Sequence, residues 1–434
     1  MSKKSSKKAF GLWSAVFLGI GSMVGAGIFI VIGQAGAIAG NLVWVSFIFG
    51  GIAALLSGYS LAKLAITYPS RGGIVEYLVQ GFGEGVFSGS AGVLFYFSQL
   101  IAIAAVAKSF GAYAGTFMHG MAGMDDLFAL GVVALFILIN LVGASVVARS
   151  ENFIVAVKLT VLVVFSGVAL FYIDPKLLSS ADMPPMKSIF FAVGLTFFAY
   201  QGFSVITNTV EDMDDPRHTM LKAMVITILL VGALYVLTSI AVLGNLPLSE
   251  VIKAKDYALA QAAQPIFGEI GFKVMAATAL LATASAINAT LYAATEIGYT
   301  LAKEGNLPKV YTYNIHNSFE GLIISGLLIV PMILFLDLSQ VTTIAALVVL
   351  IIQGITHVGH LLHIKQTGAN LWMVLGAIGS MFGIAGVTLY HTSEKMPHLG
   401  FYLLGAFVLA FGIEVLLRLI KHRTIKKQTR HINL

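Results

Sequence analysis

The chain has 434 residues, of which 58% are hydrophobic and 11% charged, and its mean hydropathy is +0.91. So little polar surface cannot cover a water-soluble globule, and composition therefore excludes that class in favour of a protein whose solvent is the bilayer. The lack of cysteine excludes disulfides, thiolate metal sites and cysteine nucleophiles, while the net charge of +6 indicates contact with anionic lipid and gives no sign of nucleic acid binding.

Apolar segments recur from one end of the chain to the other. Each is about 18 residues or longer, enough to cross a hydrocarbon core of roughly 30 Å as a helix. We predict an all-α membrane protein in which residues 1–434 form a single transmembrane domain with twelve transmembrane helices. The predicted spans are 14–38, 42–66, 86–110, 127–147, 151–173, 187–210, 220–243, 272–302, 320–336, 339–363, 370–391 and 398–420.

The ends of the chain indicate its orientation. Four lysines precede the first span, but that span is too long for a signal peptide and lacks a small-residue cleavage site, so we expect it to be retained. Twelve spans place both termini on one side, where the tail 421–434 is also basic. The positive-inside rule then predicts cytoplasmic termini in a multi-pass protein of the cell (inner) membrane.

The first span contains four glycines within residues 19–27. Each glycine costs a helix about 1 kcal/mol relative to alanine, so we predict an unwound stretch at mid-membrane depth. The alternative is a glycine-lined packing face, which is common in membrane helices.

Residues 68–82, between spans 2 and 3, are too short and polar to cross the membrane. Ile74, Tyr77, Leu78 and Gly81 share one helical face in this segment. This pattern predicts an amphipathic helix along the inner membrane surface.

Two lysines fall within predicted spans. Lys158 lies about one and a half turns into span 5, where a charged side chain costs several kcal/mol unless it reaches a cavity, a partner or the interface. Snorkelling to the inner surface is the alternative to a functional role. Lys108, near the outer end of span 3, is expected to snorkel.

The sixth span has a second interruption, where Gly202 lies beside polar Tyr200, Gln201 and Ser204. Irregular backbone is tolerated at this depth only inside protein or beside a water-filled cavity. Spans 1 and 6 enter the membrane from opposite sides, as an inverted repeat requires. We therefore predict two five-helix halves, 11–173 and 187–365, followed by two extra helices in 370–420.

Further polar residues lie in spans 8 and 10. Ser285 shares a helix face with Ala286, which offers no second hydroxyl for a sodium ion; the alternative for Ser285 is a bond to its own helix. His357, His360 and His363 have a spacing compatible with a metal, but no further ligand is evident, so we expect them to line the inner vestibule or meet headgroups.

Four motifs occur in order along the chain: GAGIF at 25–29, PSRGG at 69–73, FAYQGF at 198–203 followed by Glu211 and Pro216, and AKEGNLP at 302–308. Together they resemble the amino acid-polyamine-organocation (APC) superfamily, and within it the ApcT-like proton-coupled permeases, from residue 11 to about residue 365. The resemblance implies a LeuT-type fold, alternating access and amino acid transport.

The resemblance also implies a substrate site at the two interruptions. The substrate carboxylate would bind the amides of Gly25, Ala26 and Gly27, at the positive end of a half-helix. The ammonium would meet carbonyls near Gly21, Ser22 and Met23 and near Phe198, Gln201 and Gly202, with Phe198 covering the substrate as an aromatic gate.

For Lys158 the resemblance implies the place that sodium takes in sodium-coupled relatives. Its ammonium would contact carbonyls near Gly21 and Val24 and the hydroxyl of Ser285. Because burial disfavours the charged form of lysine, its protonation would alternate with conformation. Coupling would then need no cofactor, only protons.

The substrate class follows from residues that are lacking. No Asp or Glu falls in the inner part of spans 1, 3, 6 or 10, and Ser204 occupies the place at which many cationic amino acid carriers of the superfamily have a carboxylate. A buried acid is the natural partner of an arginine or lysine side chain. We therefore predict proton-coupled symport of neutral amino acids.

Two alternatives remain open beside symport. One is an amino acid or polyamine exchanger without proton coupling. The other is a channel or a membrane-embedded enzyme, for which the sequence offers neither a filter-like ring nor an acid-base or nucleophile pair. The predicted partners are an amino acid and the lipid bilayer.

Overall fold

The computed structural model describes residues 11–25, 27–70, 72–118, 123–142, 145–178, 184–316, 318–395 and 397–421. Among the predicted features, Ala26, the N-terminal lysines and the tail beyond residue 421 lie outside this part of the chain. The described residues are overwhelmingly helical, which confirms the all-α prediction.

The α-helices are numbered in chain order over the described residues. They are α1 Leu12–Met23, α2 Gly27–Ala39, α3 Val43–Thr67, α4 Ile74–Phe82, α5 Val86–Gly115, α6 Asp125–Val142, α7 Ser145–Ala169, α8 Lys187–Ala199, α9 Pro216–Asn245, α10 Leu248–Lys253, α11 Ala258–Glu304, α12 Glu320–Phe335, α13 Leu338–Leu362, α14 Ile364–Thr367, α15 Leu371–Lys395 and α16 Leu399–Lys421. A 3-10 helix, Gln201–Asp212, follows α8, and the strands Asn314–Ile315 and Ser318–Phe319 pair antiparallel.

Ten stretches of the described helices are long and apolar enough to cross a membrane. Two further apolar helices are shorter, α1 with 12 residues and α12 with 16. The chain is thus a multi-pass helical membrane protein. Helix α11 covers the predicted eighth span and begins earlier, with a kink at Gly268, where φ is +66°.

Two helices are interrupted where the sequence is rich in glycine or polar residues. Helix α1 ends at Met23 and α2 begins at Gly27, so the first predicted span consists of two short helices. Helix α8 ends at Ala199, and 12 residues of 3-10 helix follow. Runs of 3-10 helix longer than three or four residues are uncommon and often mark a hinge or strain.

Burial separates the centre of the bundle from its periphery. In an apolar 18-residue segment of α13, 83% is buried inside the protein. The corresponding segment of α16 is 22% buried. Helix α3 packs against α9, and α5 packs against α11 and α13, while α2 packs against α8. The two interrupted helices therefore lie among buried elements, and α16 exposes its apolar side chains to lipid.

Helix α4 lies inside the protein, so the prediction of a surface helix was wrong. All residues from Ile74 to Gly81 are buried, and the helix packs against α13 and α5. Two of its polar residues pair within the helix, because the Gln80 amide donates to Glu76 at 2.6 Å. This pairing removes the need for a wet face.

The prediction that Lys108 snorkels was also wrong. Its ammonium lies 2.5 Å from a carboxylate oxygen of Asp126, at the start of α6, and donates to the carbonyl of Ile333 at 2.7 Å. The side chain is only 11% exposed. Protein partners therefore hold this charge, and it joins α5 to α6 and α12.

Candidate functional site

The two interruptions pack directly against each other. A Cβ atom added to Gly27 would come within 2.5 Å of the carbonyl oxygen of Ala199, and one added to Gly202 within 2.4 Å of the amide nitrogen of Met23. A real Cβ atom essentially never comes this close to an atom to which it is not bonded, so only glycine fits at either place. Glycine thus permits close backbone contact between the α1–α2 interruption and the end of α8.

Tyr235 of α9 connects the two interruptions. Its hydroxyl lies 2.7 Å from the carbonyl oxygen of Met23 and 3.1 Å from that of Ala199. Both carbonyls belong to residues at which a helix ends, where backbone acceptors lose their intrahelical partners. Tyr235 is fully buried and packs against Tyr200, with 5.3 Å between ring centroids. Its hydroxyl therefore joins both helix ends at one buried point.

Lys158 contacts the interruption from the opposite side, through α7. Its ammonium donates to the carbonyl of Gly21 at 2.8 Å, and the residue is 1% exposed. The backbone of Gly21 also lies close to Val155, one turn earlier in α7, because a Cβ on Gly21 would come within 2.8 Å of a Val155 methyl carbon. Lys158 therefore does not reach the membrane surface, which excludes the snorkelling alternative.

Ser285 makes a different contact from the predicted one. Its hydroxyl lies 2.6 and 2.8 Å from the two carboxylate oxygens of Glu151, to which it donates, and no bond from Lys158 to Ser285 forms in the described structure. Glu151 and Lys158 are seven residues apart and so share a face of α7. The Glu151 carboxylate attracts the Lys158 ammonium electrostatically and also accepts from the Ser285 hydroxyl. Glu151 therefore links Ser285 to Lys158.

The remaining predicted residues lie around the same interruption. Gly25 faces Ala286 of α11, because a Cβ on Gly25 would come within 3.0 Å of the Ala286 methyl. Phe198 is 7% exposed, whereas Ser22 is exposed and Gln201 and Gly202 are half-buried. Accessible surface thus remains on the Ser22 and Gln201 side of the interruption.

The opposite end of the interruption is closed. At that end Ser339 of α13 donates to the amide oxygen of Gln34, and the Gln34 amide donates to Asp256, in the loop between α10 and α11. Gly33 lies so close to the carbonyl of Lys255 that no side chain would fit. Burial raises the pKa of the Asp256 carboxyl, and nearby acidic groups add to this effect.

His357 and His360 of α13 do not lie in a vestibule or at headgroups. His357 and His360 are 0% and 1% exposed, and their ring nitrogens lie 2.7 to 2.8 Å from hydroxyls of Ser57, Ser60 and Thr367. His363 is half-buried. Among the described residues, no group of three or more His, Asp or Glu side chains is placed to hold a metal ion.

A comparison with known families decides the class of protein. The family model for the amino acid permeases matches residues 10–416. The chain belongs to the amino acid permease family. It is therefore a membrane transporter and not an enzyme.

Relatives of this permease are spread across bacteria and archaea. The inner membrane transport protein YbaT of Escherichia coli is 37% identical over 80% of this chain and 82% of its own length. An uncharacterized protein of Methanocaldococcus jannaschii is 32% identical over 96% of this chain and 97% of its own. The serine/threonine exchanger SteT of Bacillus subtilis is 25% identical over 72% and 73%.

Two residues of the permease site escaped the sequence reasoning. Tyr235 is one of several aromatic residues in an apolar helix, and only its hydroxyl in the middle of the span hinted at a polar partner. Glu151 is the first residue of the predicted span 151–173, and its sequence neighbours indicate no partner for it. Tyr235 lies 212 positions from Met23 and 36 from Ala199, and Glu151 lies 134 positions from Ser285, so helical periodicity gives no information about these contacts.

Proposed function

We propose that this permease is a secondary active transporter that carries neutral amino acids together with protons by alternating access. The observation that supports this most directly is the buried bond from Lys158 to the carbonyl of Gly21, 2.8 Å long, at an interrupted helix. In this proposal the substrate would bind backbone groups at the same interruption, so one titratable cation would lie beside the bound substrate.

The proposal includes a LeuT-type arrangement of twelve spans. Helices α1 and α2 together would form span 1, and α8 with the following 3-10 helix span 6, so each half, 11–173 and 187–365, begins with an interrupted span. The segment 370–420 would add two helices. The end at which α1 begins would face the cytoplasm with the basic tail 421–434, in the cell (inner) membrane, and Asp256 would lie at the outer end.

The substrate would bind at the exposed helix ends. Its carboxylate would accept from the amides of Gly25, Ala26 and Gly27, at the start of α2, where the helix dipole favours an anion. Its ammonium would meet the carbonyls near Ser22, Phe198 and Gly202. The carbonyls of Gly21 and Met23 already accept from Lys158 and Tyr235, but each carbonyl has a second lone pair.

Gln201 offers a further contact for a substrate. Its side-chain oxygen accepts from Gln353 at 3.2 Å, while its buried amide nitrogen has no acceptor among the described residues. An unpaired buried donor is costly, by about 1–3 kcal/mol, unless a ligand or water completes it. A substrate carboxylate would do so, and Phe198 would cover the bound molecule.

Protonation of Lys158 would drive the cycle. The charged ammonium is attracted to Glu151 and holds α7 to the α1 carbonyl, whereas the neutral amine loses that attraction. A proton bound at Lys158 would therefore favour one access state, and its release the other. Ser285, through Glu151, would set how strongly the carboxylate acts.

Substrate choice is supported by the sequence, which has no Asp or Glu in the inner part of spans 1, 3, 6 or 10, and by relatives. One relative, 24% identical over 70% of this chain, is the branched-chain amino acid permease BcaP of Bacillus subtilis. The test uses purified permease in proteoliposomes with a panel of labelled amino acids. We expect an inward proton gradient alone to accumulate neutral amino acids, with competition by alanine or serine and none by arginine or glutamate.

An exchanger is the second candidate, because one relative is a serine/threonine exchanger. An exchanger would carry labelled amino acid only into vesicles that are preloaded with unlabelled amino acid. Its uptake would not respond to the proton gradient. Accumulation in empty vesicles under a sodium gradient alone would contradict both proposals.

A further inference from the structure

A continuous chain of hydrogen bonds runs from the candidate substrate site to Thr367 at the end of α14. It joins seven side chains in this order: Gln201, Gln353, Ser57, His357, Ser60, His360 and Thr367. The first link is 3.2 Å long, and the other five are 2.7 or 2.8 Å. All of these side chains except Gln201 are buried.

The chemistry of the groups fixes the direction of every bond. Ser57 donates its one hydroxyl hydrogen to Gln353, so the bond between Ser57 and His357 must use a hydrogen on Nε2 of His357. The Nδ1 atom of a neutral His357 then accepts from Ser60. Ser60 has thereby used its own hydrogen and must accept from Nδ1 of His360.

The chain is therefore fully paired with both imidazoles neutral. Nε2 of His360 accepts from Thr367, which ends the chain. A second position exists for the Thr367 hydroxyl, because the carbonyl of Ile364 lies 3.1 Å away. If Thr367 turns to that carbonyl, Nε2 of His360 can take a proton and donate to the threonine oxygen. His360 can thus become charged without losing a hydrogen bond.

The same geometry lets the charge move inward. The hydrogen on Nδ1 of His360 passes to Ser60 as the hydrogen of Ser60 passes to Nδ1 of His357, so each N–H or O–H bond that breaks is replaced by another. Afterwards His360 is neutral, His357 carries the charge, and Ser60 donates to His360 instead. Every group is again paired. One positive charge has moved one step closer to Gln353 and Gln201.

The last group in this series of hydrogen bonds, Thr367, lies near water. Thr367 is 8% exposed and is followed by the exposed Gly368, at the end where α1 begins. Lys63 of α3 and His363, the residue after α13, act electrostatically to repel a positive charge on His360. The other charged groups on packed elements near this end are Glu76 of α4, Lys365 of α14, and Glu414 with Arg418 of α16.

We propose that His360 is a second proton-binding site, reached from the aqueous phase beside Thr367, and that Ser60, His357, Ser57 and Gln353 link its protonation to Gln201. The proposal rests on the proposed function in placing Gln201 at the substrate site. In the transport cycle this chain would exchange protons with the cytoplasmic side, whereas Lys158 acts at the α1 interruption.

The test compares variants by substrate counterflow, which needs no net proton movement, over a range of pH. We expect the wild type to show a pH-dependent rate, and His360→Gln to lose part of that dependence, the rest remaining with Lys158. Ser60→Ala breaks the link and should slow counterflow at least about tenfold, whereas Ser60→Thr keeps a hydroxyl and should retain most of the rate. Ser46→Ala is the matched control, because Ser46 is also fully buried on α3 but donates to Ile189 at 2.8 Å.

A second measurement reads the proton directly. Acid titration of the purified permease in detergent should show about one fewer proton bound per chain in His360→Gln, and no such loss in the control Ser46→Ala. Equal proton binding in wild type and His360→Gln, or equal damage by Ser60→Ala and Ser46→Ala, would overturn the proposal. If the wild type shows counterflow but no proton-driven accumulation, the symport proposal fails. The titration of His360→Gln still decides whether His360 binds a proton.

Discussion

Two buried polar regions flank the interrupted helices, and they are built on different principles. On the α7 side, a single lysine depends on one carbonyl of α1 and on the attraction of Glu151. On the α3 and α13 side, neutral hydroxyls, amides and imidazoles satisfy one another. A buried charge with few partners is stable in only one arrangement of its helices, whereas a fully paired neutral chain of hydrogen bonds holds its own helices rigidly together. The first suits a switch and the second a rigid support or relay.

The largest effect is expected at Lys158. Within the described structure, its ammonium is the only charged group of the α7 region that contacts α1. Lys158→Ala should reduce accumulation under an inward proton gradient to a concentration ratio of about one, the value without coupling. Lys158→Arg should fail too, since guanidinium stays protonated at any accessible pH. The measurement is uptake by sodium-free proteoliposomes.

Lys108→Met serves as the control for this prediction. It removes another partly buried lysine, whose partners Asp126 and Ile333 lie away from the interruption. We expect less protein in the membrane but an unchanged accumulation ratio. If Lys158→Ala still concentrates substrate, the lysine does not couple transport, and the contrast between the two regions loses its functional meaning.

The second prediction concerns the glycines that both regions adjoin. Gly25→Leu would fill the space facing Ala286, and Gly27→Ala would place a methyl against the carbonyl of Ala199. Overpacking costs about 1–3 kcal/mol, so uptake should fall at least about tenfold while the protein remains in the membrane. Gly383→Leu on α15, which has open space around it, should change nothing. Normal uptake by both site variants would remove the proposed substrate site.

Tyr235→Phe should have a smaller effect. It deletes the hydroxyl shared by Met23 and Ala199 but keeps the ring that packs on Tyr200. A lost buried hydrogen bond costs about 1 kcal/mol, so initial uptake should fall about fivefold with little change in thermal stability.

Tyr96→Phe is the matched control for the tyrosine, because its hydroxyl bonds to Ser325 at 2.8 Å, away from the interruptions. Uptake should stay near wild type in this variant. If the two variants lose uptake equally, the Tyr235 hydroxyl stabilises the fold in general and does not connect the two helix ends.

The sequence predicted those features that depend on local chemistry. Glycines and polar residues within an apolar run located both interruptions, and the depth of Lys158 showed that its charge needed a partner. Each of these inferences uses neighbours within a few turns of one helix. The cost of breaking a helix or burying a charge is set largely by that neighbourhood.

Features that depend on distant partners were not predictable in this way. Ser285 was assigned to Lys158 but bonds to Glu151, and Lys108 was expected to reach the surface but pairs with Asp126. Helix α4 has an amphipathic pattern yet is buried on all sides. For Ser285 and Lys108 a residue on another helix supplies the compensating polar group, whereas for α4 other helices cover its polar face. Spacing along the chain does not encode which residues these are.

The smallest effect is expected at the closed end, which we propose is the outer one, where the half-buried acid Asp256 lies in a loop. Burial raises the pKa of its carboxyl in the closed arrangement, whereas opening would return that carboxyl to water. The closed form therefore binds a proton more tightly, gains stability as pH falls through the raised pKa, and loses that gain above it. Closure at this end should thus be favoured in mild acid.

The chain has no cysteine, so a single Ala35→Cys, buried in α2 beneath this end, reports opening through labelling by an impermeant maleimide added outside. After correction for the thiolate fraction at each pH, labelling should slow by no more than about threefold as pH falls, because an incompletely buried acid is partly screened. Asp256→Asn should remove this dependence, since its amide keeps an acceptor for Gln34 but does not titrate. An unchanged pH dependence in that variant would assign the effect to Lys158 or His360, and the contrast between the two regions would then account for all proton-linked movement.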